Sequence, residues 1–187
     1  MNFVHERLCR SDRWADSVRE RILPAALDGI DIGDDPLELG PGPGRTTEQL
    51  LDRFSRLTAL EIDSDAVSTL QTRLRDARLT VVHGDATAMP FPDGRFSAVI
   101  ALTMLHHLSS PEAQDRLFAE AARVLRPGGW FCGSDGLITP RFRLIHIGDT
   151  LTPINPEHLP ERLAGAGFVD VRVQCRSNRA AFRGRRP

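Results

Sequence analysis

Residues 37–44 read LELGPGPG, placing Gly40, Gly42 and Gly44 at alternate positions shortly after Glu38. Glycines so spaced let a backbone turn sharply and approach a ligand with no side chain between them. The spacing is GxGxG and not the GxGxxG of dinucleotide sites, so the helix that follows has less reason to hold a pyrophosphate. Glu38 repels phosphate and suits a cationic ligand; a solvent-facing or helix-capping acid is the plain alternative. Glu61 closes LTALE, 21 residues beyond Gly40, about where an acid grips vicinal ribose hydroxyls. It can equally cap the next helix, as can Asp63 and Asp65. Asp85, in HGDA, is expected to end a third strand, where a carboxylate can accept a hydrogen bond from an exocyclic amine; the alternative is an Asx-turn in a surface loop. Each acid is ambiguous alone. Three acids ending consecutive strands in order, beside a glycine turn, are far less expected by chance.

Elements that position these residues follow from periodicity and punctuation. Residues 11–28 set Trp14, Val18 and Ile22 at helical spacing, with Ser11 or Asp12 as N-cap and Pro24 interrupting or kinking the helix. PLELG is a short buried-type strand and RTTEQLLDRFS a helix. RLTALEID is a second strand, and SDAVSTLQTRLRDA a helix that Ser64 or Asp65 can cap. LTVVHGDA and RFSAVIALTML are strands, and SPEAQDRLFAEAARVL a helix ended by Pro127 and Gly128. GWFCGSDG is a fifth strand, followed by a loop-rich insert. NPEHLPERLAGAG is a helix, and FVDVRVQCR and NRAAFRGRR are strands joined by a short turn. Strands alternating with helices over 36–135 predict right-handed βαβ units and a mostly parallel sheet; the final pair predicts an antiparallel hairpin at one edge. The fold class expected is α/β, Rossmann-like and doubly wound, with seven strands and helices on both faces. One domain over 1–187 is expected: an N-terminal helical segment (1–35), a ligand-binding half (36–135) and a C-terminal part of loop, helix and strands (136–187).

Composition narrows the classes. Hydrophobic residues make up 41% and charged residues 26%, ordinary for a soluble globular protein. A net charge of −1 argues against broad electrostatic capture of nucleic acid. No apolar run is long enough to span a membrane, and the N-terminus is too polar for a signal peptide. Cys9, Cys132 and Cys175 form no CxxC and no metal-type pairing with histidine, so a reduced, cytoplasmic protein without a metal centre is expected. All 24 basic residues are arginine, which excludes chemistry that needs a lysine, such as Schiff bases and the P-loop.

LELGPGPG, LEID, HGDA, RFSAVIALTMLHHL and LRPGG, in that order over about residues 36–135, resemble the class I S-adenosylmethionine-dependent methyltransferases. The resemblance implies S-adenosyl-L-methionine as cofactor, with S-adenosyl-L-homocysteine as product. By position it implies that Gly40, Pro41 and Gly42 pass beside the methionine part, with Glu38 and Gly44 also in the cofactor site, that Glu61 holds the ribose and that Ile62 lies against the adenine. Asp85 would meet the adenine amine with the Ala86 backbone alongside, and Leu102 and Thr103 would flank the sulfonium. The family often has aspartate where this chain has Ser97. The implied chemistry is in-line displacement at the sulfonium methyl, for which the protein supplies alignment, dryness and any base the acceptor requires.

His107 and His106, in MLHHL, are the candidate bases, with a framework role as the alternative. His146, Asp149 and Asp135 are further candidates for contact with the acceptor, and His5, His83 and His158 are read as surface or structural. The arginines of the tail (Arg176, Arg179, Arg183, Arg185, Arg186) are read as a solvated hairpin that can also attract an anionic substrate. With no separate recognition domain and no basic excess, the acceptor expected is a small molecule or lipid, not a nucleic acid. The alternatives are a dinucleotide-binding oxidoreductase and a non-catalytic, cofactor-binding partner subunit.

Overall fold

Strand β4 (Phe96–Leu102) alternates between two cores: Ala98, Ile100 and Leu102 pack on one face, Val99 and Ala101 on the other. A strand apolar on both faces belongs in the middle of a sheet with helices on each side. The computed structural model describes residues 7–187 and has that form. The other strands are β1 (Pro36–Leu39), β2 (Leu57–Glu61), β3 (Leu79–His83), β5 (Leu125–Gly136), β6 (Val169–Arg176) and β7 (Arg179–Arg185), in the order β3-β2-β1-β4-β5-β7-β6. β1 to β5 pair in parallel, while β7 runs antiparallel between β5 and β6. The order reverses between β1 and β4, the switch point beyond which open α/β sheets bind ligands. LELGPGPG leads straight into it.

Helices α1 (Asp12–Ser17), α2 (Leu23–Leu27) and α3 (Arg45–Leu51), with the turn between the first two, cover one face through Ile22, Leu23, Leu50 and Leu51. On the other face, α5 (Pro111–Val124) and α7 (Leu159–Gly165) bring Leu117, Phe118 and Leu163 against Val99, Phe131 and Phe182. Between α1 and α2, residues Val18–Ile22 form a π-helical turn in which the Leu23 N–H donates to the Val18 carbonyl. Pro24, without an N–H, sits in the first turn of α2, so the expected kink takes the form of a widened turn that carries the chain past the proline. Ser11 caps α1, its hydroxyl accepting from Trp14 N–H.

Three local expectations are corrected. Helix α4 (Ser64–Arg73) is capped by Asp63, whose extended backbone lets its carboxylate accept from Asp65 and Ala66 N–H; Ser64 and Asp65 are already inside the first turn. β5 begins at Leu125, which pairs with Phe96, because the helix gives way to extended backbone before Pro127. The loop-rich insert contains α6 (Pro140–Ile145), capped by Thr139 and too short for its periodicity to show in sequence. Ser97 has a structural role: its hydroxyl accepts from the Asp35 N–H at 3.0 Å, while Arg95 and Arg126 pair with the buried Asp35 carboxylate just before β1. His83 and His158 lie on the surface, and His5 falls outside the described residues.

Candidate active site

After β1 the chain reverses tightly. Gly40 N–H donates to the Leu60 carbonyl at 2.9 Å, and Gly44 N–H to that of Pro41 at 3.0 Å. Gly40, Gly42 and Gly44 have φ of +62°, +51° and +81°, the left-handed region open to glycine at little cost. At Gly44 a Cβ would also stand 2.2 Å from Leu70 Cδ1. Backbone conformation at all three positions, and packing at Gly44, thus explain the alternate spacing.

Glu61 fastens this turn. One carboxylate oxygen accepts from Gly42 N–H at 3.0 Å; the other accepts from Ile62 N–H at 2.9 Å and Asp63 N–H at 3.1 Å. An ionised carboxylate has about four acceptor positions, so capacity remains for a ligand hydroxyl. Ile62, immediately after, is 66% exposed, an apolar side chain presented to solvent beyond the strand end. Asp85 does not end β3, which stops at His83; it lies two residues further, exposed, with one oxygen accepting from Thr87 N–H at 2.7 Å. That is an Asx-turn, and it presents the carboxylate from a loop. Ala86 is buried beside it. Leu102 packs its side chain in the core, so it has only backbone to offer a ligand. Thr103, at φ +55°, is a non-glycine residue in a costly conformation; it is held by its N–H on the Ser134 carbonyl (2.8 Å) and its hydroxyl on the Leu102 carbonyl (2.7 Å).

Glu38 is the unsatisfied member. It is buried, and its Oε2 makes no hydrogen bond; the hydroxyl of the nearby buried Thr47 makes none either. Burial pushes the Glu38 carboxyl up to about 8, and the charge of Glu61 pushes the same way; the adjacent Thr47 favours the ionised form without closing a bond of ordinary geometry. A buried carboxyl kept protonated for want of a partner suits a cation arriving beside the glycine turn.

Past Thr103, a 3₁₀ turn (Leu105–His107) carries the two histidines. His106 is buried, with Nδ1 at 2.5 Å from Asp135 Oδ1, while its backbone N–H reaches the other carboxylate oxygen. Burial works against the charged form of Asp135, yet His106 and Arg179 hold its carboxyl below the usual range. His146, just past α6, turns its Nδ1 to the Phe142 carbonyl at 2.7 Å and packs against His106 and half-buried His107, with ring centroids 4.8 and 5.5 Å away. Burial lowers the His146 pKa, as does the neighbouring His106. The sequence singled out all three histidines but could not show that residues 39 positions apart share one cluster.

His106 and His146 also line a cavity of about 930 Å³ between the N-terminal helices, α6 and the β6–β7 hairpin, with Thr103 and Ser134 on its wall. Seven arginines border it (Arg13, Arg21, Arg141, Arg172, Arg176, Arg179 and Arg183), against the acids Glu20 and Asp28. Three tail arginines therefore face a cavity, whereas Arg185 pairs with Asp170 and Arg186 bonds the Arg123 and Leu125 carbonyls. Arg13, Arg21, Arg141 and Arg172 were not expected there. The period-two spacing of Arg172, Gln174 and Arg176 was the available signal, since it puts them on one side of β6.

Residues 37–133 match the methyltransferase domain family, and the chain belongs to it: it is a class I S-adenosylmethionine-dependent methyltransferase by family. Over 144 residues it is 32% identical to a Mycolicibacterium smegmatis protein named as a probable S-adenosylmethionine-dependent methyltransferase, covering 73% of this chain and 52% of that one. Over 108 residues it is 37% identical to a fatty-acid O-methyltransferase from the same organism, covering 57% and 38%. Proteins named ribosomal RNA small subunit methyltransferase A also match. The chain thus spans about half or less of the length of these relatives. In fold it is similar to phosphoethanolamine N-methyltransferase 2 of Haemonchus contortus, solved with S-adenosyl-L-methionine: TM-score 0.78, 16% identity, 99% of this chain and 56% of that one.

Proposed function

We propose that this chain transfers the methyl group of S-adenosylmethionine to an anionic small-molecule or lipid acceptor held in the arginine-lined cavity. The observation that carries the acceptor assignment is that cavity, which reaches Thr103 and is bordered by seven arginines against two acids. Its volume lies within the range of about 300–1,000 Å³ usual for small-molecule sites. The name of the fatty-acid O-methyltransferase relative supports the same class.

The residues fit the cofactor. We assign Glu38 to the cationic methionine end, where a positive charge would satisfy its unpartnered oxygen and favour the ionised carboxylate that burial otherwise opposes. The backbone of Gly40, Pro41, Gly42 and Gly44 gives close approach, Glu61 offers its remaining acceptor capacity to ribose, and exposed Ile62 gives the adenine an apolar face. Asp85 and the Ala86 backbone are assigned to the adenine edge, and the Leu102 backbone and Thr103 to the sulfonium side. S-adenosylmethionine supplies an activated methyl that leaves a neutral thioether behind. The chain then needs to align the acceptor and exclude water. A carboxylate acceptor gives up no proton, and the arginines orient it through paired N–H donors. For a hydroxyl acceptor, His106 is better placed than His107: Asp135 accepts from Nδ1, leaving Nε2 as the basic nitrogen of the neutral ring, and the residue lines the cavity.

Incubation with methyl-labelled S-adenosylmethionine and a panel of fatty acids, other carboxylic acids, phosphomonoesters, neutral amines and ribosomal RNA tests the assignment. Label is expected on an anionic small molecule, with KM raised at least about tenfold in Arg179→Met. Label on RNA alone would replace this reading with the one that the ribosomal RNA relatives suggest.

A further inference from the structure

The cluster formed by His106, His107 and His146 joins three imidazoles from two separated segments. One ring nitrogen of each lies within 4.8 Å of those of the other two. The rings are not arbitrarily oriented. Nδ1 of His106 faces the Asp135 carboxylate and Nδ1 of His146 faces the Phe142 carbonyl. Both partners are acceptors, so in the neutral rings Nδ1 carries the proton and Nε2 the lone pair. Imidazoles fixed through Nδ1 by a carboxylate or carbonyl, with Nε2 left to coordinate, are the arrangement in which proteins present histidine to metal ions.

We propose that His106, His107 and His146 bind one divalent transition-metal ion of the zinc type, with Asp135 and the Phe142 carbonyl orienting the ligands. Imidazole suits zinc and its neighbours, whereas magnesium and calcium demand oxygen ligands. Three histidines leave a fourth position for water or an acceptor oxygen, as in catalytic zinc sites, and His106 and His146 line the cavity where that position would be useful. Metal–nitrogen bonds of about 2.0–2.1 Å in tetrahedral geometry require nitrogens about 3.3–3.4 Å apart, so the widest pair must close by up to about 1.5 Å on binding. A bound ion would take the Nε2 lone pair of His106 and replace it as the group that acts on an acceptor oxygen. The site does not depend on the methyl-transfer reading.

Equilibrium dialysis of the untagged full chain against Zn²⁺, with Mg²⁺ as comparator, tests the proposal. One equivalent of zinc is expected, bound with micromolar affinity or tighter, and magnesium should not compete. His106→Ala, His107→Ala and His146→Ala should each weaken binding at least tenfold, and Asp135→Asn by about 10–100-fold through loss of ligand orientation. His83→Ala and His158→Ala, on the surface, should leave it unchanged. His107 is half-buried, so His107→Ala keeps the test decisive if the buried variants do not fold. Failure to retain zinc, or zinc uptake that His107→Ala leaves unchanged, overturns the site.

Discussion

Replacing Glu38 with glutamine should stabilise the ligand-free protein above neutral pH while weakening its hold on the cofactor. The Glu38 carboxyl rises from 4.5 to about 8 on folding. Between those values the folded state keeps a proton that the unfolded chain has released, so stability falls as pH rises, and the full cost is present above pH 8. At 1.36 kcal/mol per pKa unit the cost is on the order of 3 kcal/mol at pH 7 and 5 kcal/mol at pH 9. Glutamine does not titrate, so the stability difference between Glu38→Gln and wild type should widen steadily from pH 5 to pH 8. Urea unfolding at unit pH steps measures it. In the second arm, the ionised fraction of Glu38 rises from about 9% at pH 7 to about 91% at pH 9. The advantage of wild type over Glu38→Gln in binding S-adenosylhomocysteine should therefore grow about tenfold, with the ligand's own titration cancelling in the comparison. Parallel stability profiles from pH 5 to 9, or equal cofactor affinities in the two proteins, would refute the reasoning.

Ile62→Ser should shift stability by no more than about 0.5 kcal/mol, the side chain being exposed, yet weaken S-adenosylhomocysteine about tenfold by calorimetry. Glu61→Ala removes the acceptor of three backbone N–H groups and should cost about 1–3 kcal/mol in urea unfolding as well as cofactor affinity; full stability in this variant would mean the turn is held by other means. Gly44→Ala puts a methyl into a left-handed position and against Leu70, and should lower stability by about 2–4 kcal/mol.

The parallel run of strands and the antiparallel edge were legible, though not the strand order, because short strands alternate with segments of helical spacing over 36–135 and the last two strands are separated only by a short turn. The glycine turn was legible because positive φ selects glycine so strongly. What the residues of the turn do for one another was not. That Glu61 buckles the turn through Gly42 depends on two strand ends meeting across the sheet, and no local pattern encodes it. Asp85 was placed at a strand end because the apolar run gives no hint that pairing stops at His83. The histidine cluster and the arginine-lined cavity arise from contacts between segments far apart in the chain, where periodicity is silent. The short helix α6, which delivers His146, was hidden by its length.

Titration of the wild-type protein with S-adenosylhomocysteine, set against NAD under the same conditions, bears most directly on the account. One equivalent of S-adenosylhomocysteine should bind with a calorimetric signal that Gly42→Val weakens at least about tenfold, and NAD should give none. Binding of NAD at the site, or no binding of S-adenosylhomocysteine, would contradict it.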